Sequence, residues 1–106
     1  MKTKNGKAKC GLSIDLLARM AEVLKLLAHP HRLKIIEILD VNGGAPVFAI
    51  AEQLDLPQAA TSQHLNQMKR VGLITADRRG KEVWYTVADP RALTILSWTR
   101  KNGGKS

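Results

Sequence analysis

The sequence predicts a mainly α-helical fold of about five helices, with a two-stranded β-hairpin between the last two. Three observations carry that reading. Apolar residues recur at helical spacing from Leu16 to Leu39 and again from Val47 to Met68. A short break, Asp55-Leu56-Pro57, separates the third and fourth helical stretches, as in a helix-turn-helix. After Gly72 the period changes to two, with Val83, Tyr85 and Val87 on one strand face and Trp84 and Thr86 on the other.

Each element has its own local cause. Residues 1–11, with Lys2, Lys4, Lys7 and Lys9, are polar and glycine-bearing and read as a flexible basic arm. Ser13 suits the cap of a first helix carrying Leu16, Leu17, Met20, Leu24 and Leu27. Pro30 interrupts it, and His29-Pro30-His31-Arg32 bends the chain into a second helix with Leu33, Ile36 and Leu39 inward. Asn42-Gly43-Gly44 stops that helix, and Pro46 bars its continuation. Val47, Ile50, Ala51 and Leu54 give a short third helix one buried stripe. Pro57 suits the first turn of a fourth helix that runs to about Val71. Thr61, Leu65 and Met68 face inward there, while Gln58, Ser62, Gln63, Asn66 and Lys69 make a polar face without acids. Arg79-Gly80 reads as the hairpin turn, with Arg78, Arg79 and Lys81 at its tip. Asp89 and Pro90 open a last helix with Leu93, Leu96 and Trp98 available for packing. Residues 12–100 thus read as one domain and 101–106 as a flexible tail.

Composition narrows the function. The 106 residues carry a formal net charge of +8, and a pI of about 10.1 is the electrostatic footprint of a nucleic-acid binder. With 44% hydrophobic residues a core is possible, but a small one for an isolated monomer, which a dimer would relieve. The single cysteine, Cys10, excludes an intrachain disulfide and a multi-cysteine metal site within one chain. No apolar run suits a signal peptide or a membrane span, so a cytoplasmic protein without membrane contact is expected.

The segments LAHPHRLKIIEIL, IAEQLDLPQAATSQHLNQMKRVGLI and RRGKEVWYTV, followed by ALTILSWTR, resemble the arsenic-repressor (ArsR-type) family of winged helix-turn-helix regulators over roughly Leu16 to Arg100. The resemblance implies a homodimer paired through the first and last helices and bound to double-stranded operator DNA, with effectors releasing it. The family's metal sites do not carry over. A cysteine pair on the third helix is replaced by Pro46 and Phe48. The Asp-x-His start of the other site reads Asp89-Pro90-Arg91, with Asn102 and Lys105 in its later positions. Metals are therefore expected to leave operator affinity nearly unchanged.

Candidate DNA contacts follow from residue chemistry on the fourth helix. Gln63 can pair bidentately with adenine, and His64 can donate to a base edge or a phosphate. Gln58 and Ser62 suit phosphate contacts, and Asn66 and Lys69 share their helix. Arg78, Arg79 and Lys81 would lie along neighbouring phosphates. His29 and His31 read as surface residues, with no carboxylate or thiol cluster nearby in sequence and no metal or other cofactor expected. Cys10 is a possible redox site only if two arms of a dimer meet. The sequence is thus expected to be a sequence-specific transcriptional regulator, a repressor on an inverted-repeat operator. The competing reading is a winged helix used as a protein–protein adaptor, which would show an acidic or apolar reading face. Catalysis is not expected: there are no paired carboxylates, nucleophile elbow or phosphate loop, and Cys10 stands in the arm.

Overall fold

The computed structural model describes residues 10–103. Most of the expected arm, and Lys105 in the tail, lie outside them. The Ser13 hydroxyl accepts a hydrogen bond from the Leu16 amide at 3.1 Å and starts α1 (Ile14–Leu27). α2 (Pro30–Asn42) begins with His29 as its cap, the imidazole Nδ1 accepting from the His31 amide at 3.3 Å, and with Pro30 in the first position. A two-residue strand β1 (Ala45–Pro46) leads into α3 (Val47–Leu54), and α4 (Gln58–Arg70) follows. The hairpin strands are β2 (Ile74–Arg79) and β3 (Glu82–Val87), and α5 (Arg91–Asn102) closes the chain. No helix of the described residues is long and apolar enough to cross a membrane.

Three consecutive helices end alike. Gly43 just after α2, Asp55 just after α3 and Gly72 two residues after α4 are left-handed, and in each case the next amide reaches back five residues: Gly44 to the Leu39 carbonyl, Leu56 to Ala51 and Leu73 to Met68. At the end of α3 that left-handed residue is Asp55, φ 57°, a conformation aspartate tolerates better than most side chains. This sharp stop lets Pro57 cap α4 three residues later, so α4 starts at Gln58 and Pro57 lies just outside it. The Pro57 carbonyl accepts both the Thr61 amide and its hydroxyl, each at 3.0 Å, which satisfies the fully buried Thr61 and fixes the first turn of α4.

α2 is the central element. It buries Ile35, Ile36, Ile38 and Leu39, more than the single stripe expected from the spacing, because α1, α3, α5 and the sheet all pack around it. Ile50, Leu65, Met68, Leu73 and Ile74, none more than 1% exposed, complete the core. α1 and α5 are peripheral: only Leu27 of α1 and Ala92 of α5 are buried.

The sheet has three antiparallel strands in the order β1-β3-β2, one strand more than the expected hairpin. Ala45 pairs with Tyr85 and Pro46 with Trp84, and proline is acceptable there because β1 is an edge strand. Gly44 makes the approach possible, since a Cβ on it would sit 2.9 Å from Thr86 Cγ2. Arg79 pairs with Glu82, so the turn is Gly80-Lys81, one residue later than the sequence reading, with Gly80 supplying a φ of 64°. α5 starts at Arg91 with Pro90 as its cap and continues two residues into the expected tail.

Candidate nucleic-acid interface

α4 presents its polar face by simple helix geometry. Thr61, Leu65 and Met68 form the buried stripe, and at ~3.6 residues per turn Gln63, Asn66 and Arg70 lie opposite it. All three are exposed, as are Gln58 and Lys69; Ser62 is half-buried on the same flank as Gln58 and Lys69. No acidic residue occurs in α4, and Lys69 and Arg70 fall in its last turn. Arg70 extends the face beyond the residues expected from the sequence, at the helix end where a cation also complements the backbone dipole.

His64 is elsewhere. It lies on the other edge of α4, half-buried, with its ring edge-to-face against His29 at 4.7 Å and 6.0 Å from His31. Its Nδ1 accepts a hydrogen bond from Arg32 Nε at 3.0 Å. Arg32 also donates to Gln67 Oε1 at 2.7 Å and to the Leu26 carbonyl at 3.3 Å. One guanidinium thus ties the ends of α1 and α2 to the flank of α4. Burial first, then the positive charges of His29, Arg32 and His31, push the His64 imidazole below its ordinary pKa. In this structure His64 is turned away from the face that carries Gln63. The sequence has no carboxylate or thiol cluster near His29 and His31, but α4 brings a third imidazole beside them, His64, from 33 residues further along.

The hairpin carries Arg78, Arg79 and Lys81, all exposed, with Lys81 in the turn. Arg79 lies over the Trp84 ring at 4.7 Å and makes a long ion pair with Asp77 at 3.4 Å. The Trp84 indole N–H donates to Glu82 at 3.1 Å. Trp84 therefore serves as a plate that orders Arg79, while Arg78 and Lys81 make no ion pair among the described residues.

A family model described as a helix-turn-helix domain matches residues 27–76. An uncharacterized HTH-type transcriptional regulator of Methanocaldococcus jannaschii is 35% identical over 78 residues, 74% of this chain and 88% of that one. The transcriptional repressor PagR of Bacillus anthracis is 40% identical over 76 residues, 72% of this chain and 76% of PagR. Its crystal structure superposes with a TM-score of 0.75 over 83% of this chain and all of that one, at 34% identity. A homodimeric winged helix-turn-helix domain of Mycobacterium bovis, described as a possible ArsR-family regulator, shares the fold at 24% identity, with a TM-score of 0.70 over 95% of this chain and 98% of that one. The chain belongs to the ArsR-type family of transcriptional regulators.

The metal sites that the resemblance implies for this ArsR-type chain do not fit its side chains. Pro46 is paired in the sheet, and Phe48 offers no ligand atom. Asp89 is taken by Arg91, whose Nη2 and Nε approach its carboxylate at 2.6 and 2.9 Å, while the Arg91 amide also donates to it at 2.9 Å. The Arg91 hydrogen bond holds the Asp89 carboxyl below the usual carboxylate range. A guanidinium thus occupies the ligand-bearing end of α5. Cys10 is exposed, four residues before α1.

Proposed function

We propose that this ArsR-type chain represses transcription by occupying an inverted-repeat operator as a homodimer, with α4 in the major groove and the hairpin along the flanking phosphates. The observation that carries the reading is the exposed, acid-free face of α4 standing opposite its buried Thr61, Leu65 and Met68 stripe. Gln63 reads a base edge, with Asn66 beside it. Gln58, Ser62 and Lys69 hold one flank to phosphates, as do Arg78, Arg79 and Lys81 from the wing. His64 acts by positioning α4 through Arg32, in place of the direct base contact that its chemistry alone suggested. An adaptor role is not favoured, because the reading face is neither acidic nor apolar.

Dimerisation through α1 and α5 is supported by their apolar side chains outside the core. Leu17 is 44% exposed, Leu24 49% and Trp98 65%, a density that a second copy would cover. Cys10 precedes α1, so in such a dimer two thiols could be oxidised to one interchain disulfide only where the two arms meet. The test is fluorescence anisotropy with the DNA upstream of the chain's own gene. An inverted repeat with half-site centres ~10 bp or a small multiple apart should be bound by two chains and preferred over random duplex. Equal affinity for both duplexes would overturn the reading.

A further inference from the structure

His29, His31 and His64 stand together although the helix-turn-helix separates them by 33 residues. Each is half-buried, and one nitrogen from each lies within 4.8 Å of the others. Pro30 fixes the backbone between His29 and His31 at the start of α2, so two of the three imidazoles share a rigid base. The third comes from α4, a long and well-packed helix. No acidic side chain donates to or accepts from any of the three among the described hydrogen bonds.

We infer that His29, His31 and His64 form a three-imidazole site for a divalent transition metal of the zinc, cobalt or nickel type. Imidazole nitrogens suit these ions, whereas the oxygen-seeking calcium and magnesium find nothing here. Three nitrogens on one tetrahedral zinc, each at ~2.0–2.1 Å, stand about 3.3 Å apart. The cluster therefore closes on an ion by side-chain rotations of an ångström or so. A water or a further ligand takes the fourth position.

The site has a built-in consequence for α4. His64 Nδ1 accepts from Arg32, and His29 Nδ1 accepts from the His31 amide. A metal ends each such bond whichever nitrogen it takes. On Nδ1 it uses the lone pair; on Nε2 the neutral ring carries its proton on Nδ1, where donor then meets donor. The His29 bond is a 3.3 Å cap and gives way readily. The His64 bond is the firmer one, and its loss frees Arg32, which repulsion from the cation also drives outward. Arg32 then leaves Gln67 and Leu26 as well. Metal occupancy and the Arg32 clamp on α4 are mutually exclusive.

The test is metal binding by the full chain, metal-free at the start. Zinc is titrated against a chromophoric chelator, and cobalt is followed by its visible absorption. One ion per chain should bind, with the intense ligand-field bands of four-coordinate cobalt and without a sulfur charge-transfer band. Cys10→Ser should bind unchanged. His29→Asn/His31→Asn keeps a capping side chain at position 29, and it should lose at least tenfold in affinity while melting cooperatively. In the wild-type chain, long-range ¹H–¹⁵N spectra should show all three imidazoles shifting with one equivalent of zinc and the Arg32 Nε–H losing its hydrogen-bonded shift. Undiminished binding by the double variant, dependence on Cys10, or imidazole signals unmoved at one equivalent would each overturn the site. None of these readouts involves DNA, so failure here leaves the operator reading standing.

Discussion

A glutamine and a lysine on the same surface are distinguished by what each can sense. The Gln63 amide presents a donor and an acceptor side by side, so it reports which base it faces; the Lys81 ammonium reports only that a phosphate is near. Gln63→Ala should therefore cost ~1–3 kcal/mol of discrimination between operator and random duplex. Lys81→Ala should weaken both duplexes alike and lower the salt slope by about one. Anisotropy titrations at several salt concentrations check both, and equal losses for Gln63→Ala on the two duplexes would reverse the assignment. Arg32 is the opposite case, a residue whose role the sequence concealed. Its partners His64 and Gln67 lie 32 and 35 residues away, so no local pattern announces a clamp. Arg32→Lys keeps the charge but cannot serve His64, Gln67 and the Leu26 carbonyl from one planar fork. It should destabilise the fold by ~1–3 kcal/mol through partners left unpaired, read from urea midpoints at an unchanged slope. A variant as stable as the wild type would show that the three bonds exist without energetic weight.

The helices were legible because their causes are local. Ser13, the Asn42-Gly43 stop, the stripe of α3 and the acid-free face of α4 can each be read within a dozen residues, and each stands in the structure. β1 was not legible, since two residues ending in proline become a strand only through Tyr85 and Trp84, about 40 positions later. The two-sided burial of α2 was hidden for the same reason: Ile35 and Ile38 are covered by elements distant in sequence. At the start of α5 the sequence indicated a helix opening, and the structure adds an ion pair. Asp89 is held ionised by Arg91, so its folded pKa lies below the ordinary value of about 3.9. The carboxylate accordingly contributes stability that is present above that pH and lost as pH falls through the folded value. Asp89→Asn should cost about 0.5–1 kcal/mol at pH 7, the size of a partly screened pair. The gap to the wild type should begin to narrow as pH falls below the ordinary carboxylate value of about 3.9, and urea unfolding at pH 7 and pH 3 checks it. A gap that persists unchanged at pH 3 would mean that shape, and not charge, holds the start of α5.

At the scale of the whole molecule, the decisive feature is how little of α1 and α5 the core takes up. Those two helices bury one residue each, yet carry Leu17, Leu24 and Trp98 into solvent at 44, 49 and 65% exposure. A two-fold interface uses every such side chain twice, and covering the exposed half of a leucine contributes about half of the ~1.5–3 kcal/mol of full burial each time. A charge placed there should act on assembly and spare the fold, because neither Leu24 nor Trp98 belongs to the buried core. By light scattering at micromolar concentration the wild-type chain should have twice its monomer mass. Leu24→Glu and Trp98→Glu should each raise the dimer dissociation constant at least tenfold while melting within a few degrees of the wild type. Operator binding should fall with them, since two half-sites would no longer be held by one rigid body, whereas weak binding to random duplex per chain should persist through α4 and the wing. A wild-type chain of monomer mass at tens of micromolar would remove the dimer. A variant that stays dimeric would move the interface away from α1 and α5.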